Sequence, residues 1–160
     1  MNNNCIEIIG LKYLNLFNNF SIAFENEKFL TISGANNCGK TTLIRIIDGQ
    51  VQINNTMLVY GKKYEDYKVT EIGNIIKTVI PLELTFIHNT IEEELTYQLP
   101  NDKKKEEKQK RIKEVAKLFK LTKILTKSVE TLSDDLIIRL QLALALISSP
   151  KIILIDDLSP

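Results

Sequence analysis

Apolar positions along this chain follow two different periods, and the change from one to the other marks its organisation. In the first half the apolar runs are short, and they alternate or run on as strands do. Ile6-Glu7-Ile8-Ile9 reads as a first strand. Phe20-Ser21-Ile22-Ala23-Phe24 alternates apolar and small residues. Glu25-Asn26-Glu27-Lys28 then turns the chain into Phe29-Leu30-Thr31-Ile32-Ser33, a β-branched run that predicts a buried strand and an antiparallel hairpin. Thr42-Leu43-Ile44-Arg45-Ile46-Ile47 predicts a short helix closed by Gly49. Thr56-Met57-Leu58-Val59-Tyr60 reads as a strand with Gly61 as its turn. Asn74 to Ile80 reads as a further buried strand, ended by Pro81.

Beyond this point the spacing becomes helical. Thr90 followed by Glu92, Glu93 and Glu94 predicts a helix start, a hydroxyl cap with carboxylates in the first turn. Lys103 to Lys120 is charged, with Ile112, Val115, Ala116 and Phe119 at helical intervals. Residues from about 82 to 132 therefore read as a helical insert in an α/β domain. Ser133-Asp134-Asp135 opens another helix, whose stripe of Leu136, Leu140, Ala143, Leu144 and Ile147 predicts deep burial. Ser148-Ser149-Pro150 ends it. Lys151-Ile152-Ile153-Leu154-Ile155-Asp156-Asp157 then predicts a central parallel strand covered on both faces.

Composition narrows the field without naming a chemistry. At 160 residues the chain accommodates one domain with a real core. A formal net charge of +1 gives no global electrostatic case for nucleic acid or an anionic membrane. The Lys/Glu run mixes both signs and reads as a solvated helix face. No apolar run is long enough to span a membrane. Met1-Asn2-Asn3-Asn4 lacks the basic and apolar regions of a signal peptide, and two cysteines make no disulfide framework, so a reducing compartment is expected.

The chemistry-bearing stretch is Gly34-Ala35-Asn36-Asn37-Cys38-Gly39-Lys40-Thr41, which fits G-x-x-x-x-G-K-[ST]. The motif sits between an expected strand and an expected helix. There, backbone N–H groups and the positive end of the helix dipole converge on a phosphate. Gly34 and Gly39 permit backbone angles and approaches that a Cβ would block. Asn37 stands where a left-handed residue is comfortable. Lys40 would reach the β- and γ-phosphates, the Thr41 hydroxyl would bind Mg²⁺, and Asn36 and Thr42 complete the cradle. Cys38 is small enough to fit; a filler residue and a reactive thiol are both open readings. Tyr13 is open to two readings as well, a ring for a nucleobase or a packing residue. Asp156 and Asp157 end an apolar strand, where open α/β sheets bind ligands. Asp156 is thus the natural Mg²⁺-holding carboxylate.

Taken together, the order and spacing of these segments resemble the ATP-binding subunit of an ATP-binding-cassette (ABC) transporter over nearly the whole chain. The resemblance implies an α/β P-loop NTPase fold with N-terminal antiparallel strands, a parallel core sheet and a helical subdomain at approximately 82–132. It treats 1–160 as a single, incomplete nucleotide-binding domain whose later C-terminal strands are missing. The family's leucine-serine-glycine-glycine-glutamine signature resembles Leu132-Ser133-Asp134-Asp135-Leu136, and its proline-led Walker B strand resembles Pro150 to Asp157. Ile87 to Leu95 looks most like energy-coupling-factor and cobalt-type importers. The family resemblance implies ATP and Mg²⁺ as cofactors, Asp157 as the catalytic base and Ser133 as the signature residue facing a partner's nucleotide. It also implies a second ATP-binding subunit in a head-to-tail dimer, transmembrane partners, no nucleic acid, and a cytoplasmic location on the inner face of the membrane.

Five positions depart from the family pattern, Leu136 among them in place of the signature glutamine. Ile80 stands where a glutamine contacts Mg²⁺ and the attacking water. Asp134 and Asp135 replace the signature glycines, and their charge would oppose a partner's γ-phosphate. Asp157 is one methylene shorter than the usual Glu. The only histidine, His88, falls in the insert and reads as a surface or partner-facing residue.

Overall fold

A computed structural model describes residues 3–80 and 86–157. The chain divides into two units, Met1–Ile75 and Ile76–Pro160.

In the first unit β1 (Asn4–Tyr13) pairs antiparallel with β2 (Phe17–Glu25) on one side and with β3 (Thr56–Val59) on the other. A two-residue strand β4 (Lys62–Lys63) completes a four-stranded sheet in the order β2-β1-β3-β4. Strand alternation alone would follow Ile6 and Ile8 with Gly10 on the buried face, yet the next buried residue is Leu11 (Cys5 is buried as well). Gly10 resolves this. Its φ of 64° falls at the register shift between Ile8 and Leu11, a bulge that moves the inward face by one residue. The helix α1 (Lys40–Ile47) adds Leu43, Ile46 and Ile47 to the buried set, and Gly49 (φ 79°) ends it as expected.

Phe29–Ser33, expected to be a buried strand, is not one. The run forms no strand, and Phe29 is 95% exposed. A strand is held by its neighbours' backbone groups, and no backbone hydrogen bond to this run occurs among the described residues. The strand expected over Asn74–Ile80 is likewise shorter. Helix α2 (Val69–Ile75) takes its first two residues and β5 (Ile76–Val79) the next four, with Ile80 just past the strand. Pro81 and the expected start of the insert at Leu82 lie outside the described residues.

The second unit joins a helical core to a two-stranded sheet. Its helices α3 (Ile91–Tyr97), α4 (Lys105–Leu118) and α5 (Asp134–Ile147) bury Ile91, Leu95, Ile112, Val115, Leu140, Ala143, Leu144 and Ile147 in one cluster. The residues expected at helical spacing are therefore the ones packed inward. Arg111 closes the end of α5: its Nε and Nη2 donate to the Ile147 and Leu146 carbonyls at 3.0 and 2.8 Å. Strand β6 (Ile152–Ile155) runs parallel to β5. It is neither central nor covered on both faces: only β5 flanks it among the described strands, and Ile153 and Ile155 are 36% and 44% exposed.

Thr90 caps α3 as its sequence implies. Its Oγ1 accepts from the Glu93 N–H at 3.3 Å, and Glu93 Oε2 accepts from the Thr90 N–H at 3.0 Å, a complete capping box. The Thr90 hydrogen bonds hold the Glu93 carboxyl below its ordinary pKa, with the His88 charge adding to them. A depressed carboxyl stabilises the fold above its unfolded pKa of about 4.3, and that contribution fades as pH falls through the lower folded value. Thr90→Ala is expected to cost about 1 kcal/mol. In the wild type, the protection of the first α3 amides against hydrogen exchange, relative to the intrinsic rate at each pH, should fall below about pH 4, and in the variant that pH response should disappear. An unchanged pH response in the variant would refute the capping role.

Candidate nucleotide-binding site

The loop ahead of α1 has the conformation its residue types suggest. Asn37 is left-handed (φ 63°), and Gly39, the N-cap of α1, has φ 100° and ψ 12°. That φ favours glycine, and it turns the loop into the helix so that the first N–H groups of α1 stay unpaired within it. The first turn of α1 holds no carboxylate, so its positive end is open to an anion. Cys38 N–H donates to the Ala35 carbonyl at 3.3 Å, and a Cβ on Gly34 would lie 2.7 Å from Cys38 Sγ. Gly34 and Cys38 therefore face each other across the loop, and the Cys38 thiol is exposed.

Lys40 is drawn back over the loop. Its Nζ donates to the Gly34 and Ala35 carbonyls at 2.9 and 3.0 Å and lies 4.0 Å from Cys38 Sγ. The ammonium thus sits among the backbone groups that would surround a phosphate. Thr41 and Thr42 follow in the first turn of α1. Tyr13 is the last residue of β1 rather than part of a connecting loop, opposite Phe17 in the register. A cavity of about 630 Å³ lies near the opposite end of α1, beside Gly49, Asn54 and Tyr64, and no residue of the phosphate loop lines it.

In the second unit the strand order brings two expected residues together. Val79 and Ile155 are register partners, and Asp156 N–H donates to the Val79 carbonyl at 2.9 Å. Ile80 and Asp156 are therefore the next residues at the C-terminal ends of adjacent parallel strands. An apolar side chain flanks the carboxylate where a polar one would be of use. Asp157 follows, exposed.

Ser133 is the N-cap of α5, but its side chain makes no capping hydrogen bond. Asp134 and Asp135 occupy the first turn, and Asp135 pairs with Arg139 at 2.9 Å. The N-terminus of α5 thus carries its own anions, and that of α1 carries none.

Two features escaped the sequence reading. Glu94 is a buried carboxylate, 3% exposed, that accepts the N–H groups of Ile87 and His88. Its oxygen lies 3.9 Å from His88 Nδ1, and the His88 ring rests 4.8 Å from that of Tyr97. His88 is accordingly held in a cluster rather than simply displayed at the surface. The only hint was that Glu94 adjoins the inward Leu95. The second is Phe17, whose ring touches Gly39; nothing in the spacing points to that contact.

Thr41, in the first turn of α1, is a hydroxyl and Asp156, just past β6, a carboxylate; each by its own chemistry is an oxygen donor of the kind Mg²⁺ takes from protein. Among the described residues no group of three or more His, Cys, Asp or Glu side chains could hold a metal by itself.

Comparison with known proteins bears on these observations. A family model described as ABC transporter matches residues 17–159. The spermidine/putrescine import ATP-binding protein PotA of Clostridium novyi is 32% identical over 145 residues, covering 89% of this chain and 41% of that protein. PotA of Clostridioides difficile is 31% identical over 146 residues, 90% of this chain and 42% of that protein. The chain thus spans about two-fifths of these relatives' length. Among solved structures, CbiO1 of Clostridium perfringens, described as part of the ABC transporter complex cbiONQ, superposes with a TM-score of 0.83 at 20% identity. It covers 97% of this chain and 66% of its own. That likeness gives the fold: α/β with antiparallel N-terminal strands, as the sequence predicts.

Proposed function

From the premise that this chain belongs to the ABC transporter family, we propose that it is the nucleotide-binding part of a transporter's ATP-binding subunit. It binds Mg-ATP at Gly34–Thr42 and couples hydrolysis to transport from the cytoplasmic face of a membrane. The observation that carries this reading is the phosphate loop itself. Left-handed Asn37 and Gly39 lead into a helix start free of carboxylates, with the Lys40 ammonium folded over it.

In this reading the backbone N–H groups of Asn36, Asn37, Cys38, Gly39 and Lys40 take the phosphate oxygens, and Lys40 swings from its carbonyl partners to the terminal phosphates. The Thr41 hydroxyl and Asp156 would hold Mg²⁺, and the ion would supply charge neutralisation at the phosphates. Thr42 lines the cradle and Tyr13 supplies a ring to the base. Asp157 positions and deprotonates the attacking water, and Ser133 serves a nucleotide held by a partner subunit. Turnover by the isolated chain is expected to be slow. Ile80 beside Asp156 cannot hold a water, and Asp157 reaches less far than a glutamate.

The partners in this reading are a second ATP-binding subunit and transmembrane subunits, with no nucleic acid. No helix among the described residues is long and apolar enough to cross a membrane, so attachment would be peripheral. An importer of the energy-coupling-factor or cobalt type is the finer assignment. Calorimetric titration with Mg-ATP, followed by phosphate-release assays with and without co-expressed partner subunits, tests the proposal. Binding by the chain, with release rising when partners are present, is expected. Absence of ATP binding would overturn it.

A further inference from the structure

The end of the β1–β2 hairpin reaches the phosphate loop. Tyr13 and Phe17 are register partners, Leu16 N–H closes the turn on the Tyr13 carbonyl at 3.1 Å, and Leu14 adopts a left-handed φ of 47°. This turn directs Phe17 at Gly39: a Cβ added to Gly39 would lie 3.1 Å from Phe17 Cζ and 3.8 Å from Leu16 Cβ. The Phe17 ring also packs against that of Phe20, with centroids 5.4 Å apart and planes tilted by 36°. Gly39 is the residue whose φ of 100° sets the direction of α1, and hence of the first helical N–H groups. A glycine in that conformation has many alternatives open to it, and a ring this close to where its Cβ would be restricts them.

We propose that Phe17 is a positioning residue for the phosphate loop: its ring, locked by Phe20, holds Gly39 in the left-handed turn that aims the loop and the start of α1 at a phosphate. The inference rests on the nucleotide-binding reading above, and it assigns Phe17 to the phosphate end of the ligand rather than to the base. A ring preorganising the loop strengthens binding of any ligand that carries the phosphates, because the cost of ordering the loop is met before the ligand arrives.

Titration with two ligands separates the possibilities: Mg-ATP, and Mg-tripolyphosphate, which has neither base nor ribose. Phe17→Ala is expected to weaken both by the same factor, about tenfold, equivalent to about 1.4 kcal/mol. Phe17→Leu, which keeps a bulky apolar group against Gly39, should recover most of the affinity for both. Circular dichroism fixes a temperature at which each variant is folded. Should Phe17→Ala not fold, Phe17→Val takes its place, with a loss for both ligands larger than that of the Leu variant. Weakened ATP binding with unchanged tripolyphosphate binding would mean that the ring contacts the base, and would overturn the inference. Unchanged affinity for both would overturn it too. Wild-type protein that binds neither ligand would sink the nucleotide-binding reading itself, and this inference with it.

Discussion

Lys40→Ala is expected to lower the affinity for Mg-ATP about 100-fold while leaving the fold intact. In the free chain the Lys40 ammonium donates to the Gly34 and Ala35 carbonyls at 2.9 and 3.0 Å. Those carbonyls belong to a loop at the surface and can turn to water, so losing the side chain strands no buried group. Alanine is also the better helix former at the first position of α1. The bound state is different. Hydrogen bonds from an ammonium to a polyphosphate are charge-assisted, and losing such a set is worth about 3 kcal/mol, roughly two decades in Kd. Calorimetric titration of both proteins measures the ratio, and thermal unfolding should give matching transitions. A loss of less than about threefold would show that Lys40 does not reach the phosphates.

Leu140→Ala should give a large loss of stability, about 3 kcal/mol. Leu140 is 0% exposed and lies in a cluster with Ile91, Leu95, Ile112 and Val115. Truncation removes the transfer energy of three carbons and leaves a cavity that the surrounding helices can only partly close. Leu118, at the end of α4 and 63% exposed, is the internal control: Leu118→Ala should shift stability by less than about 0.5 kcal/mol. Urea unfolding followed by far-ultraviolet circular dichroism compares the two. Equal effects would mean that the cluster is not packed as the structure has it.

Where a feature depends on neighbours in the chain, its residues announced it. The left-handed Asn37, the Thr90 cap, the glycine closing α1 and the inward stripes of α4 and α5 are set within one or two helical turns or one loop. The same holds for the phosphate loop as a candidate site. Where a feature depends on distant backbone, the reading went astray. Phe29–Ser33 has strand-like residues and no strand pairing among the described residues. Ile153 and Ile155 have the apolarity of a central strand and half-exposed side chains, since hydrophobicity cannot supply a second neighbour. Glu94 looks like one more acid in a first turn, yet it is buried because two N–H groups seven and six residues earlier converge on it.

By itself, then, the sequence determined the local chemistry of this protein: a phosphate loop of the right residue types, the helices that carry an apolar stripe, and the acids that end a strand. Those follow from steric preferences and short-range hydrogen bonds that a few consecutive residues decide. Tertiary structure alone decided that Ile80 flanks Asp156, that the Ser133 side chain makes no capping hydrogen bond, and that Phe17 lies against Gly39. Each is a contact between residues far apart in the chain or a geometry imposed by packing, and only closing the chain on itself brings such groups within reach.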